Sequence, residues 1–246
     1  MHERNTGLSI LILVLGVIIR LRATINMIKF EKTETYGWEA AIRGMRNPLN
    51  SWGKSDSFKY EPHIADDGMP DIGPNDLDLM QRLRKAGTDH RKYLRMIGVS
   101  VDITAPFYWW KEFDTYKVGT VANSCSTMHK VMAKPFELDD FSHDHLSEFS
   151  LKQLEDLIIY LNSLRNTYLI LQKGEQAQGA KEAWWQVIQL LPSSYNQKRT
   201  ITLNYEVLNN MYHSRKNHKL DEWSIGFCEW VESLPYAAEL ITSDLK

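Results

Sequence analysis

Residues 191–222 read LPSSYNQKRTITLNYEVLNNMYHSRKNHKLDE, and three local signals lie in them end to end. Leu191-Pro192 stops the helix before it, because proline lacks a backbone N–H and disfavours helical geometry in its predecessor. Arg199–Leu203 (RTITL) reads as a short strand. Asn204 to Arg215 then reads as a helix, with Asn204 suited to its N-cap and Arg215 to its C-terminal turn. Asn210 follows Asn204 by 6 residues and Arg215 follows it by 11. On a helix the first offset is about 240° and the step from Asn210 to Arg215 about 140°, so the three residues do not form one strict stripe.

Upstream, Gln176 to Leu191 is a helix running into that proline. Ser150-Leu-Lys-Gln153 matches a capping box, and Leu151, Leu154, Ile158, Leu161 and Leu164 form a helical stripe behind it, predicting a helix over 150–172. Residues 115–135 are irregular. Phe107 to Phe113 (FYWWKEF) opens a helix with Pro106 at its first position. Before it, Tyr93 to Thr104 alternates through Ile97, Val99, Val101 and Ile103, predicting a strand. Asp76–Lys85 and Trp38–Met45 have helical spacing, and residues 28–33 read as a first strand. Residues 49–75 read as a long surface excursion rich in Ser, Asp, Gly and Pro. Downstream, Leu220 to Leu234 is a further helix. The elements predict an α/β (α+β) domain with a small central mixed sheet flanked by helices.

The 246 residues carry a formal net charge of −2, with 43% hydrophobic and 24% charged side chains. That is ordinary globular composition, without the global basic field that draws a protein to nucleic acid. Two cysteines, Cys125 and Cys228, cannot form a disulfide framework and fit a reducing cytoplasm. Leu8 to Ile19 is almost wholly apolar but short for a membrane helix. Three readings stand: a signal-like segment, an anchor, or an extension ahead of a start at Met27, with residues 27–246 as one domain. The third is preferred, and no membrane partner is expected unless the apolar run is real. No GxGxxG, P-loop, CxxC, HExxH or GxSxG motif occurs. His143 and His145 lie near Asp139 and Asp140, but a ligand set needs further groups at defined spacing. No metal is expected.

Leu191-Pro192 followed by Asn204, Asn210 and Arg215 resembles the flavin-dependent thymidylate synthases, which carry an L-P pair, Asn-x-Arg opening a helix, a second Asn and then an Arg. The resemblance spans most of residues 28–245. It includes the Gln176–Leu191 helix, the strand ending Ile103-Thr-Ala-Pro106 and the aromatic helix after it. Several positions depart. Glu206 stands where the family has Arg. The family's signature is R-H-R, then Asn-Glu, Ser and Arg; ungapped counting sets Thr115-Tyr116-Lys117 on R-H-R and Cys125 on the Ser. A one-residue shift aligns Asn123 with the Asn and Ser126 with the Ser. Ile188 replaces an Arg that helps hold the nucleotide phosphate, and the family's flavin-contacting His falls close to Met96, with His90 and Arg95 near.

The resemblance implies that Asn204 and Asn210 approach a flavin, and that Arg215 meets the pyrimidine as catalytic and substrate-binding residue. Lys117 and His90 join the cofactor set, and Asn123 and Ser126 the substrate set. Arg91, Lys92, Arg95 and Lys130 are further candidates for phosphates. It implies FAD, methylene-tetrahydrofolate and NADPH as cofactors and a pyrimidine nucleotide as partner. The activity would be methylation of dUMP to dTMP in a cytoplasmic homotetramer. The alternative is a catalytically inactive homologue that binds nucleotide or serves in assembly.

Overall fold

The computed structural model describes residues 28–58 and 70–244. The apolar run 8–19 and the candidate start at Met27 lie outside the described residues. In chain order the elements are β1 (Lys29–Tyr36), α1 (Trp38–Arg46), α2 (Pro74–Lys85), β2 (Gly98–Pro106), α3 (Phe107–Phe113), β3 (Val121–Ser124), α4 (Thr127–Lys130), α5 (Glu148–Lys173), α6 (Ala177–Leu190), β4 (Asn196–Asn204), α7 (Tyr205–Arg215) and α8 (Cys228–Glu232). Short 3-10 turns include Arg91–Met96, and Glu222–Phe227 and Ala238–Thr242 are π-helical. These elements group into two compact units. A sheet unit holds residues 29–104, 108–125 and 197 onward, and a helical unit holds 105–107 and 126–196.

The sheet runs in the order β1-β2-β4-β3. β1 lies antiparallel to β2, with Phe30 opposite Ile103, and β3 lies antiparallel to β4, with Val121 opposite Thr202. Ser100 and Thr202 share a hydrogen bond of 3.3 Å, and Thr200 Oγ1 donates to Asp102 Oδ1 at 2.6 Å. Numbers rise along β2 as they fall along β4, so this pair too is antiparallel, and the four-stranded sheet is antiparallel throughout rather than mixed as expected. The predicted alternation is real: Val99, Val101 and Ile103 are buried, while Ser100 and Asp102 take the other face.

The strand begins later than the sequence suggests. Tyr93 and Leu94 are both buried, which a tight turn allows and a one-faced strand does not. They sit in the Arg91–Met96 turn, where Tyr93 Oη donates to the Met80 carbonyl at 2.7 Å. Gly37, at φ 84°, passes so close that an added Cβ would sit 2.2 Å from Met96 O, a position only glycine occupies without strain. Pro106 closes β2 rather than opening the helix, which starts at Phe107. The aromatic run of α3 is core: Trp109, Trp110 and Phe113 are buried, and Trp109 stacks on Trp223 of the first π-helical stretch at 4.4 Å. The Leu220–Leu234 region is thus a π-helical turn running into α8 rather than one regular helix. β3 falls in the stretch that reads as irregular. It is short, and all four of its residues are exposed, so it carries no hydrophobic period.

In the helical unit α5 starts one turn before the expected cap. Ser147 is the N-cap and accepts from Ser150 N at 3.3 Å. The predicted stripe of Leu154, Ile158, Leu161 and Leu164 is buried against Val187 of α6 and against Val131, Met132, Phe136 and Phe141. Asn162 locks the 136 region to α5, donating to Phe136 O at 2.9 Å and accepting from Phe136 N at 2.8 Å. Phe149, Ile159 and Ile170 of α5 remain exposed. Among the described residues no helix is long and apolar enough to cross a membrane, and no cluster of three His, Cys, Asp or Glu could hold a metal. His143 Nδ1 instead meets its neighbour Phe141 O at 2.8 Å.

One carboxylate organises the loop after α1. Asp76, fully buried in α2, pairs with Arg46 Nε at 2.5 Å and accepts from Ser55 Oγ, Ser57 Oγ and the amides of Asp56 and Ser57. Burial alone would raise its pKa. The hydrogen bonds from Ser57, Ser55, Arg46 and Asp56 outweigh burial and bring it down to about 2. A depressed carboxylate adds stability above its unfolded pKa and loses it as pH falls through the folded value. Asp76 should therefore contribute roughly 2 kcal/mol at neutral pH, lost between about pH 4 and pH 2. Asp76→Asn also leaves Arg46 buried without a counter-charge, a change that costs about 3 kcal/mol. Denaturant unfolding at pH 7 should show that loss, and the gap between the two proteins should narrow at pH 3. A gap independent of pH would contradict the ionised-anchor account.

Candidate functional site

β4 passes into α7 without a loop. Tyr205 N donates back to Ile97 O at 3.0 Å, and Asn204 becomes the cap residue. Its Oδ1 accepts from Val207 N at 3.0 Å, so the N-cap reading of Asn204 holds and fixes the orientation of its amide. Oδ1 is consumed, and Nδ2 points towards the turn at Gly119. That glycine has φ 80°, and a Cβ there would sit 2.9 Å from Val207 and 3.4 Å from Asn204 Nδ2. Gly119 is what lets the 116–120 segment lie against the start of α7.

Arg215 closes the other end of the helix, on nearly the same face as Asn204, because 11 residues are about three full turns. Its Nε donates to Tyr116 Oη at 2.8 Å, and its Nη1 pairs with Glu112 Oε2 at 2.9 Å. The guanidinium lies 4.9 Å from the Trp223 ring centre and 5.3 Å from that of Tyr116. The side chain is only 12% exposed. Arg215 thus sits in a pocket of aromatic faces with one carboxylate, and segment 116–119 runs from Arg215 to Asn204.

Asn210 faces elsewhere. It is exposed, and its Oδ1 accepts from Arg91 at 3.3 Å and from Asn209 at 3.4 Å. Arg91 is not a free phosphate ligand. Its Nε lies 3.2 Å from Glu206 Oε1 and 3.0 Å from Oε2, both side chains being under 10% exposed. The acid at position 206 is therefore matched by an arginine from another element. Beside it Arg84, 1% exposed, donates to Asn209 Oδ1, Ser243 Oγ and the carbonyls of Ile241 and Ser243. His213 donates from Nε2 to Ile241 O at 3.0 Å. Burial lowers its pKa and keeps the ring neutral near Arg84.

The remaining expected residues divide between the two units. Lys117 and His90 are exposed in the sheet unit, and Asn123 lies on the exposed edge strand β3, opposite Thr200. Cys125 is exposed beyond it. Ser126 belongs to the helical unit, where its hydroxyl caps α4 by accepting from His129 N at 3.1 Å. The sequence reading missed Glu112, Tyr116 and Trp223 as partners of Arg215. They come from three separated segments, and nothing in their spacing marks them. Chemically, the α7 surface offers two amide NH2 groups, Asn204 Nδ2 and Asn210 Nδ2, without a partner among the described residues, and a cation set between aromatic rings.

No family model matches this chain, and no curated protein matches it in sequence. Solved structures do match in fold. A thymidylate synthase X of Helicobacter pylori with FAD and dUMP aligns with a TM-score of 0.57 at 17% identity, over 89% of this chain and 97% of that one. A second structure of a flavin-dependent thymidylate synthase from the same organism, also complexed with FAD and dUMP, aligns at 0.56 and 18% identity, over 89% and 98%. What this chain shares with them is the fold of the flavin-dependent thymidylate synthases.

Proposed function

We propose that this chain is a divergent protein of the flavin-dependent thymidylate synthase type that binds FAD and a pyrimidine nucleotide, with α7 as the recognition element. The observation that carries this reading is the setting of Arg215, a cation only 12% exposed between aromatic faces, on the same helix face as the donor amide of Asn204. The donor set suits the ligands. Neutral amide NH2 groups match the carbonyl and ring-nitrogen acceptors of a flavin, and exposed Lys117 supplies a charge for phosphate. A guanidinium between rings can hold a flat pyrimidine edge and stabilise charge on its carbonyl. Bound FAD would supply the hydride chemistry, with methylene-tetrahydrofolate as carbon donor and NADPH as reductant for methylation of dUMP to dTMP. The chain's own part is to bind, orient and polarise the nucleotide. The exposed apolar side chains Phe149, Ile159 and Ile170 support assembly into a homo-oligomer, a tetramer on the thymidylate synthase pattern.

A second reading has its own support. Arg215 is already ion-paired to Glu112, and Thr115-Tyr116-Lys117 occupies the place of an arginine-rich signature. On this reading the protein keeps the scaffold as a nucleotide-binding or assembly protein without turnover. The two readings separate on Arg215: in a working enzyme Arg215→Ala lowers turnover of dUMP by roughly 10²-fold, and in an inactive homologue it leaves nucleotide binding unchanged.

The purified protein should carry flavin absorbance or gain it when FAD is added, and dUMP at saturating excess should raise the unfolding temperature. Absence of both responses ends the ligand assignment. Glu112→Gln should release Arg215 and remove a repulsive charge, tightening dUMP by about three- to tenfold in calorimetric titration. Weaker binding in that variant would place the nucleotide away from Arg215. Light scattering should give a mass well above that of one chain. A monomer at micromolar concentration would rule out sites shared between subunits.

A further inference from the structure

The helical unit contains a cleft that the nucleotide reading does not use. α5 and α6 pack side by side and are joined by a tight turn at Gly174–Gln176, where Glu175 has a φ of 58°. Beside this turn the seam opens. Between the larger side chains of Lys181 and Trp184, α6 presents the methyl groups of Ala177 and Ala180, opposite Tyr168 and Gln172 of α5, and the gap left is a cavity of about 660 Å³. That volume is in the range of cavities that hold drug-sized ligands. Its far wall is Met128, Met132 and the indole of Trp184.

The walls are fixed and the mouth is polar. Trp184 Nε1 donates to Met128 O at 3.0 Å, which spends the indole's polar atom on the backbone and turns the ring into a rigid apolar face. The methionines beside it adapt to the shape of a guest. Tyr168 Oη accepts from Gln172 Nε2 at 3.2 Å and retains its own proton to donate. Lys181 and His129 stand at the opening, and neither side chain has an ion-pair partner among the described residues; Glu175 is the acid at the same rim.

We infer that this cleft binds a small amphipathic anion, with an apolar or aromatic body against Trp184 and the methionines and its acidic head at Lys181. The apolar walls select the body by burying it. The two nitrogen donors and the tyrosine hydroxyl serve the head, and Glu175 acts against a cationic one. This site lies wholly within the helical unit and does not depend on the reading of α7.

The test uses two fluorescent naphthalenes that differ in charge, 1-anilinonaphthalene-8-sulfonate and its neutral analogue N-phenyl-1-naphthylamine, titrated into the full-length protein. Both should bind one per chain to a protein that melts cooperatively. Ala180→Phe should fill the cleft and abolish both signals. Ala177→Phe, at an exposed position where a ring is tolerated, should do the same if the first variant fails to fold. Lys181→Glu should weaken the sulfonate about fivefold while leaving the neutral analogue unchanged. Sulfonate binding at wild-type strength in a folded cleft-filling variant overturns the site. Equal effects of Lys181→Glu on both dyes overturn the assignment of an anionic ligand.

Discussion

α7 turns charged and amide groups into the core of the sheet unit, and its position depends on two buried arginines that answer them. Glu206 and Asn209 are 5% and 1% exposed. Left alone, each would cost several kcal/mol of lost hydration. Arg91 meets Glu206, and Arg84 meets Asn209. Because Arg84 also donates to Ile241 and Ser243, the same cation ties the end of the described chain to α7. A buried guanidinium without a carboxylate can be held by carbonyl dipoles converging on its five donors, and Arg84 is an instance. Removing either arginine would strand a buried acceptor, so the elements around α7 are coupled through these side chains as much as through apolar packing.

That coupling gives α7 different neighbours along its length. Asn204 is stationed by the cap it makes and Arg215 by its rings and carboxylate. Asn210, a third of a turn away from both, is held by Arg91. The replacement of Arg by Glu at 206 looks in sequence like the loss of a functional group. In the structure Glu206 is one half of a buried ion pair, with Arg91 as the other. Asn204 spends its Oδ1 on the cap and leaves its NH2 group without a partner among the described residues, and Arg215 is left with 12% of its side chain exposed.

Much of the fold is legible in sequence because periodicity reports burial. Val99, Val101 and Ile103 announce β2, and Leu154 to Leu164 announce α5. The cap role of Asn204 is also legible, since a short amide before a helical run has few better uses. What escapes is whatever lacks a period. β3 is exposed throughout, and residues 91–96 bury consecutive side chains. The pairings Arg84–Asn209 and Arg91–Glu206 span 125 and 115 residues, and such distances leave no local trace. Arg91 shows the consequence: among neighbouring basic residues it reads as a phosphate ligand, yet it is internal.

The two thiols differ sharply in what they meet. Cys228 is buried in α8, and burial holds its pKa up at about 11, so at neutral pH it stays protonated and shielded. Cys125 lies exposed just past the edge strand, its amide bonded to Lys198 O at 2.9 Å. The chain therefore comes with a single address for maleimide chemistry. A dye or spin label placed there without any mutation would report on the exposed β3–β4 edge, at its end away from α7, with the second thiol silent as long as the protein stays folded.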